Sequence, residues 1–245
     1  AAKEPHIVDV ANFLNSMGAK IKGAGTDTIR ISGVPTLPGN FSYSIIPDQI
    51  EAGTYMIAAA VTNGDVTIRN LIPTHMEPLS AKMREMGYCV DEEDDSIRVY
   101  KEEGAEIECT NFKTAPYPGF PTDLQPQAVV LQCLASGMSK MHENVWESRF
   151  QYVAELQKMG ANINCMGRIA LINGIDTFKS AYVNATDLRA GAALVCAALQ
   201  ASGVSYISSA SRIDRGYENI VEKLKALGAD IQRVETSGYD ADLEA

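Results

Sequence analysis

Three helical segments that are apolar on almost every face constrain the fold of this chain more than any other feature. They contain the runs YMIAAAV at residues 55–61, AVVLQCL at 128–134 and AALVCAAL at 192–199. A helix without a polar face is stable only when other elements cover it on all sides. We therefore expect these helices at the centre, with sheets and amphipathic helices outside them. This expectation excludes the Rossmann fold and the (β/α)8 barrel, whose strands form the innermost layer.

Each apolar helix opens one copy of a repeated unit, and the copies begin at Asp48, Asp123 and Asp187. A glycine-led turn follows each helix and leads to a short strand, predicted at residues 66–69, 139–143 and 204–208. A second, amphipathic helix then ends at a Met-Gly or Leu-Gly pair, because glycine adopts the left-handed conformation that stops a helix. A hairpin closes the copy. The sequence thus predicts an α/β fold: an inside-out α/β barrel of repeated βαβαββ units with buried central helices.

The two ends of the chain match this repeat only in part. Residues 1–34 match the back half of one more copy, with a helix over 6–16 and a hairpin over 19–32. Residues 229–234 begin a hairpin without a second strand, and residues 236–245 form a polar tail. We therefore expect the chain to be a fragment of a longer protein, whose upstream sequence would complete both ends.

The charge pattern and the cysteines argue against several classes of function. The net charge is −10, and no Lys/Arg cluster is long enough to follow a phosphate backbone, so nucleic acid is not an expected partner. No apolar run reaches membrane-spanning length, and the first residues do not resemble a signal peptide. The five cysteines lack CxxC spacing and the three histidines lack metal spacing. These patterns predict reduced thiols in a cytoplasmic protein without a metal site.

Asp48, Asp123 and Asp187 each directly precede an apolar helix. Aspartate is a preferred N-cap because its carboxylate accepts hydrogen bonds from the free amides of the first turn. Capping is therefore the simplest interpretation of all three residues. Parallel buried helices would also direct their N-terminal amides to one face, which would attract anions.

Four motifs carry a resemblance to a known family: PTDLQPQ at 121–127, ESRF at 147–150, ATDLRA at 185–190 and IDRGYE at 213–218. Together they resemble the UDP-N-acetylglucosamine 1-carboxyvinyltransferases, a group of enolpyruvyl transferases, over roughly residues 3–234. The resemblance implies transfer of the enolpyruvyl group from phosphoenolpyruvate to the 3-hydroxyl of UDP-N-acetylglucosamine, without a metal or organic cofactor. This reaction is the first committed step of peptidoglycan synthesis.

The resemblance also implies a domain organisation. Residues 48–235 would be the second domain of such an enzyme, built from three repeats, and residues 1–47 would be a remnant of the first domain. The family's reactive cysteine lies on a loop of the first domain and its Lys-Asn pair lies near the N-terminus, and neither matches a position in this chain. We therefore expect the chain to require the missing N-terminal domain and to be inactive alone.

Two carboxylates match catalytic positions of the family. Asp123 would contact the sugar hydroxyl and take its proton, as general base or proton relay, while the carbon–oxygen bond forms. Asp187 would lie near the reacting carbon and assist deprotonation there. For both residues, a pure capping role is the alternative.

Three arginines and one valine match substrate-binding positions. Arg215 would bind the phosphoenolpyruvate anion and act in domain closure, since planar guanidinium groups suit phosphate and carboxylate. Arg189 would pair with Asp187 and hold the geometry of the site. Arg149 would lie near the substrates, with a structural salt bridge as the alternative. The backbone of Val145 would bind the uridine-sugar, unless it is an ordinary residue at a strand end.

Two other functions stay open at the level of the sequence. A shikimate-type enolpyruvyl transferase would share the architecture but accept another hydroxyl group. A non-catalytic module could retain a surface for a UDP-sugar and act through a partner chain.

Overall fold

The computed structural model describes residues 2–39 and 41–235. Its helices are α1 Pro5–Ser16, α2 Gln49–Val61, α3 Pro73–Met86, α4 Gln125–Cys133, α5 Val153–Lys158, α6 Leu188–Gln200, α7 Ser211–Asp214 and α8 Ile220–Ala226. Its strands are β1 Lys20–Lys22, β2 Arg30–Ser32, β3 Val66–Arg69, β4 Cys89–Glu92, β5 Ser96–Tyr100, β6 Phe112–Lys113, β7 Met138–His142, β8 Asn162–Met166, β9 Ile169–Asn173, β10 Tyr182–Asn184 and β11 Tyr206–Ser208.

The three apolar helices α2, α4 and α6 pack against one another. Every residue of α4 is buried, as are most residues of α2 and α6. Small side chains permit this close approach. A Cβ atom added at Gly53 of α2 would lie 2.7 Å from Leu124, and one added at Gly191 of α6 would lie 2.5 Å from Ile213. The apolar helices thus bury one another, as their composition requires.

Three sheets accompany these helices. The first has the strand order β3-β5-β4 with antiparallel pairs. The second has the order β6-β7-β9-β8, in which β6 and β7 are parallel. The third contains the parallel pair β10 and β11. In the second and third sheets, a strand before the apolar helix therefore lies beside the strand that follows it.

The amphipathic helices end where the sequence predicts. Gly87, Gly160 and Gly228 follow α3, α5 and α8 with φ angles of 102°, 91° and 99°. These angles lie in the left-handed region that glycine adopts without a steric penalty. The hairpins after α3 and α5 also form at the predicted residues, as β4–β5 and β8–β9.

The N-terminal segment contains α1 and the antiparallel hairpin β1–β2, as predicted. Asp9 of α1 accepts a hydrogen bond from the Tyr43 hydroxyl at 2.8 Å and one from the Ile46 amide at 3.4 Å. The buried end of α1 is thus tied to the segment that leads into α2.

Several predicted elements differ from the structure. The apolar run at 128–134 extends one residue beyond α4, which ends at Cys133, and the amphipathic helix before the pair Leu227-Gly228 begins only at Ile220. The strand predicted at 229–234 does not form, because no strand in the described residues pairs with that segment. An extended segment without a pairing partner gains no ladder hydrogen bonds. The polar tail predicted at 236–245 lies outside the described residues.

Candidate functional site

Asp123 lies in a 3-10 turn, Thr122–Leu124, that leads into α4. Its carboxylate Oδ2 accepts hydrogen bonds from Nε and Nη2 of Arg189, at 3.2 and 3.0 Å. Its Oδ1 lies 3.4 Å from Nη2 of Arg149. The side chain of Asp123 is 41% exposed, whereas those of Arg149 and Arg189 are 20% and 14% exposed. The site therefore presents a solvent-accessible carboxylate held by two largely buried guanidinium groups.

The prediction that Asp123 is an N-cap is wrong. Its side chain accepts no capping hydrogen bond from the 3-10 turn or from α4. Pro126 occupies the first turn of α4 and has no amide hydrogen to donate. Asp48 and Asp187, in contrast, cap α2 and α6 as predicted. The carboxylate of Asp123 is therefore free to bind the two arginines.

The predicted pairing of Arg189 with Asp187 is also wrong. The backbone amide of Arg189 donates to Asp187 Oδ1 at 2.8 Å, but its guanidinium binds Asp123. Side chains two positions apart on a helix do not face each other, so Asp187 cannot meet the guanidinium directly. The arginine thus joins two copies of the repeat instead of stabilising one.

Behind Arg189, a buried polar network joins the N-terminal turns of the three central helices. The Tyr217 hydroxyl lies 3.5 Å from Arg189 Nη1 and 2.9 Å from Thr54 Oγ1 of α2. Gln127 of α4 donates from Nε2 to both the Tyr217 and Thr54 hydroxyls, each at 3.1 Å. Tyr217 and Gln127 are fully buried. The network fixes the N-terminal ends of α2, α4 and α6 relative to one another.

Burial and charge act together on the ionisable groups of this network. Burial raises the pKa of the Tyr217 phenol, although Thr54 and the Arg189 guanidinium partly oppose that rise. Burial lowers the pKa of Arg189, but the combined effect of Tyr217 and Asp123 outweighs it and raises that pKa. The guanidinium therefore remains a cation under all ordinary conditions.

A second buried cluster centres on Glu143, directly after β7. Its Oε1 accepts hydrogen bonds from the Thr114 hydroxyl and from the amides of Val145 and Trp146, at 2.8, 2.8 and 2.9 Å. Its Oε2 accepts from the Thr122 hydroxyl at 2.9 Å. Glu143 is only 1% exposed. One buried carboxylate thus holds both the loop that carries Val145 and the residue before Asp123.

The loop after Glu143 carries two predicted site residues. Val145 and Trp146 are exposed to 39% and 57%, and their amides donate hydrogen bonds to the buried Glu143. Arg149 follows on the same loop, and its Nε atom is buried without a hydrogen-bond partner.

Arg215 follows α7 and is exposed, and among the described residues it forms no ion pair. A Cβ atom added at the next residue, Gly216, would lie 3.3 Å from Arg189 Nη1. The backbone beside Arg215 therefore packs on the first turn of α6. Asp123, Arg149 and Arg189 are in direct contact, and Arg215 and Asp187 lie on segments that adjoin them.

The described part of the chain contains no group of three His, Cys, Asp or Glu side chains that could hold a metal ion. None of the helices in residues 2–39 and 41–235 is long and apolar enough to cross a membrane. Cys133 and Cys196 are buried, and burial raises the pKa of each thiol to about 12.

The sequence analysis did not identify Glu143, Gln127, Thr54 or Tyr217 as part of the site. A signal existed for Glu143, because the alternation along its strand puts it on the same face as the buried Ser139 and Met141. Another existed for Gln127, since it is an amide directly before the apolar run of α4. A buried polar side chain usually has specific partners, but the sequence does not name them.

Comparison with known proteins supports a family assignment. The family model for EPSP synthase (3-phosphoshikimate 1-carboxyvinyltransferase) matches residues 1–224. UDP-N-acetylglucosamine 1-carboxyvinyltransferase 2 of Clostridium acetobutylicum is 58% identical over 233 residues, which are 95% of this chain and 55% of the relative. A UDP-N-acetylglucosamine 1-carboxyvinyltransferase of Desulfofundulus thermocisternus is 51% identical, with 92% of each chain covered. The chain thus spans about half the length of the Clostridium acetobutylicum relative and nearly all of the Desulfofundulus thermocisternus one.

Solved structures agree with the fold. The enolpyruvyl transferase NikO from Streptomyces tendae aligns with a TM-score of 0.82 and 29% identity, over 94% of this chain and 54% of that protein. An EPSP synthase from Acinetobacter baumannii aligns with a TM-score of 0.69 over 92% of this chain and 55% of that protein. At 19% identity, this second match shows the fold alone. From its sequence relatives and its fold, we conclude that this chain belongs to the EPSP synthase family of enolpyruvyl transferases.

Proposed function

We propose that this chain provides the acceptor-binding and proton-accepting part of a UDP-N-acetylglucosamine 1-carboxyvinyltransferase. The reaction forms a bond between the sugar 3-oxygen and the central carbon of phosphoenolpyruvate. The neighbouring CH2 carbon gains a proton as this bond forms. It loses a proton again when the bond from the central carbon to the phosphate oxygen breaks and inorganic phosphate leaves. Relatives at 58% and 51% identity bear the name of this activity, which supports UDP-N-acetylglucosamine over a shikimate derivative as acceptor.

The observation that carries the proposal is the environment of Asp123. A carboxylate that is 41% exposed and bound by two arginines has a fixed orientation and an open side toward solvent. Such a group can accept the proton of a sugar hydroxyl that approaches within hydrogen-bond distance. Arg189 donates to Oδ2 through two nitrogens while Arg149 approaches Oδ1, so each oxygen of the carboxylate has its own arginine and the group is oriented by both.

The other predicted residues have complementary roles in this proposal. Arg215 is exposed and unpaired among the described residues, so its guanidinium is available for the phosphate or carboxylate of phosphoenolpyruvate. Asp187 uses only Oδ1 for its two capping hydrogen bonds, which leaves Oδ2 for a proton from the carbon next to the central carbon. Val145 is partly exposed and its amide is bound to Glu143, so its carbonyl is the backbone group that would meet the uridine-sugar. Arg149 orients Asp123 and lies beside the bound sugar.

The domain organisation is part of the proposal. Residues 48–235 form the second, inside-out domain of the enzyme, and residues 1–47 belong to the end of the first. The active enzyme would be cytoplasmic and would need a complementary first domain with the reactive cysteine. The chain alone would then show no turnover, and neither a metal nor an organic cofactor would be required.

A chimera tests this function directly. The present chain would replace the matching 55% of the Clostridium acetobutylicum relative. We expect phosphate release with phosphoenolpyruvate and UDP-N-acetylglucosamine, and none when shikimate 3-phosphate replaces the sugar nucleotide. Asp123→Asn should lower kcat by about 10²- to 10⁴-fold, the usual contribution of a positioned general base.

Asp65→Asn provides the matched control. The two oxygens of Asp65 accept hydrogen bonds from Arg98 at 2.8 and 2.7 Å, but this pair lies on an exposed surface. This variant should retain full turnover. An Asp123→Asn variant with the turnover of the parent would remove Asp123 from the chemistry. A folded chimera that binds UDP-N-acetylglucosamine without turnover would favour a binding module instead.

A further inference from the structure

Glu143 is the most deeply buried carboxylate near the site, and its ionised form has an unusual environment. It accepts four hydrogen bonds and forms no ion pair with any described residue. Three of these bonds converge on Oε1, and the donors are two backbone amides and the Thr114 hydroxyl. A buried charge without a partner of opposite charge is costly unless several hydrogen bonds compensate it. Such a group therefore calls for an explanation beyond stability.

The four donors come from separate parts of the chain. Val145 and Trp146 belong to the exposed loop after β7, whereas Thr122 is in the 3-10 turn and immediately precedes Asp123. Thr114 reinforces the loop, since its hydroxyl donates to Glu143 and accepts from the Asn144 amide at 2.7 Å. Glu143 is thus the shared anchor of two segments.

We propose that Glu143 is a positioning residue that holds the carboxylate of Asp123 and the backbone of Val145 at a fixed separation. This role rests on the proposed function, in which Asp123 meets the sugar hydroxyl and Val145 meets the uridine-sugar. The acceptor is then bound and deprotonated by groups attached to one buried anchor. A displacement of about 1 Å at such an anchor can reduce turnover about 10²-fold, because the reacting groups lose their alignment.

Glu143 has two sets of contacts, one with Thr122 beside Asp123 and one with Thr114 and the Val145 loop. Substitutions can separate these two sets. Thr122→Val removes only the hydroxyl beside Asp123 and keeps the shape of the side chain. Thr114→Val removes the hydroxyl that supports the Val145 loop. In the chimera, we expect Thr122→Val to lower kcat about 10-fold with little change in KM for UDP-N-acetylglucosamine. We expect Thr114→Val to raise that KM about 10-fold with a smaller effect on kcat, a loss typical of one charge-assisted hydrogen bond.

Glu143→Gln weakens both sets of contacts. The amide oxygen of the glutamine is a weaker acceptor than a carboxylate, and its NH2 group faces Thr122. We expect both kcat and KM to deteriorate, and the double variant Glu143→Gln/Thr122→Val to lose less kcat than the product of the single losses. Thr62→Val is the matched control, since Thr62 donates to the Ala58 carbonyl at the opposite end of α2. It should leave both constants unchanged.

A measurement on the chain alone is independent of turnover. Trp146 is the only tryptophan, so its fluorescence reports on the loop without interference. Glu143→Gln should shift the Trp146 emission and accelerate hydrogen exchange at the Val145 and Trp146 amides about 10-fold or more, while Thr62→Val does neither. Unchanged exchange at these amides would overturn the anchor itself.

The outcomes distinguish this inference from the proposed function. A parent chimera without activity contradicts the proposed function and, with it, the catalytic purpose of the anchor. An active chimera in which Thr122→Val and Glu143→Gln keep kcat and KM within twofold of the parent overturns the role of Glu143 alone. The expected split between kcat and KM supports it, because a merely structural residue would lower the stability of both variants without separating the two constants.

Discussion

At the scale of single residues, Arg189 shows how burial changes the value of an ion pair. Its side chain is 14% exposed, and it binds Asp123 through two nitrogens with Tyr217 behind it. Arg98 also donates through two nitrogens, one to each oxygen of Asp65, but the side chains of this pair are exposed to 47% and 56%. Exposed pairs contribute little to stability because water and salt screen them. The buried arginine, in contrast, has few alternative partners and determines the orientation of Asp123.

Arg189→Lys should therefore lower turnover although it preserves the charge. Lysine cannot donate through a rigid fork, so Asp123 would lose its fixed plane. We expect kcat of the chimera to fall about 10- to 100-fold, as for other small losses of alignment. Steady-state phosphate release measures this effect, with Arg98→Lys as the control of equal chemistry. Equal turnover in both variants would show that the fork is unimportant.

Arg215→Lys should affect substrate binding more than chemistry. The exposed guanidinium of Arg215 is free to bind both oxygens of a phosphate or carboxylate, and an ammonium group cannot reproduce that geometry. We expect KM for phosphoenolpyruvate to rise by about tenfold, the effect of roughly 1.4 kcal/mol. Initial rates over a range of phosphoenolpyruvate concentrations measure both KM and kcat. Unchanged KM and kcat would refute the assignment.

At the scale of elements, the three aspartates that precede the central helices do different things. Asp48 accepts hydrogen bonds from the Ile50 and Glu51 amides at 2.7 and 3.3 Å, and Asp187 caps α6 in the same manner. Asp123 instead leaves the start of α4 uncapped by its side chain. Repeated sequence patterns thus specify a common element and a common position, while the side chain at that position can take on a different task.

Asp48→Ala should destabilise the chain by about 1 kcal/mol, the typical loss when an N-cap becomes alanine. Asp48→Asn should restore most of that stability, because asparagine also accepts from the first-turn amides. Urea unfolding followed by circular dichroism measures both values. If alanine and asparagine were equally destabilising, the charge of Asp48 rather than its capping would be responsible.

At the scale of the whole molecule, burial of thiols and phenols predicts how stability depends on pH. Burial raises the pKa of Cys133 and Cys196 from the ordinary value of 9.0 to about 12, and it also raises the pKa of Tyr152 and Tyr217. Above pH 9 the unfolded chain loses these protons before the folded chain does. The folded state then binds more protons than the unfolded state, so the free energy of unfolding decreases as the pH rises.

We expect the free energy of unfolding, measured by urea denaturation in the presence of reductant, to fall between pH 9 and 11. The fall should reach up to about 1.4 kcal/mol per pH unit for each buried group. Below about pH 8 these groups should contribute no pH dependence. Cys196→Ala should show a shallower fall from its own value at pH 8. An identical slope in the parent and in this variant would mean that the thiol ionises equally in both states.

Much of the fold could be predicted from the sequence because its signals are local. Helix periodicity, the glycine stops and the caps at Asp48 and Asp187 depend on residues within a few positions. The site was predictable only as a set of residues, and only through its resemblance to a family. Which residues bind each other was not, since Asp123 and Arg189 are 66 positions apart and Asp123 and Arg149 are 26 apart.

The sequence by itself determined that three apolar helices must be buried, because none of them has a polar face that could be exposed to water. It also determined where the elements start and stop, within a few residues. Only the tertiary structure decided that Asp123 binds two arginines instead of capping α4, and that Glu143 joins the Thr122 turn to the Val145 loop. The physical reason is that these contacts arise from how the central helices and the second sheet pack, and packing brings together side chains that no local pattern relates.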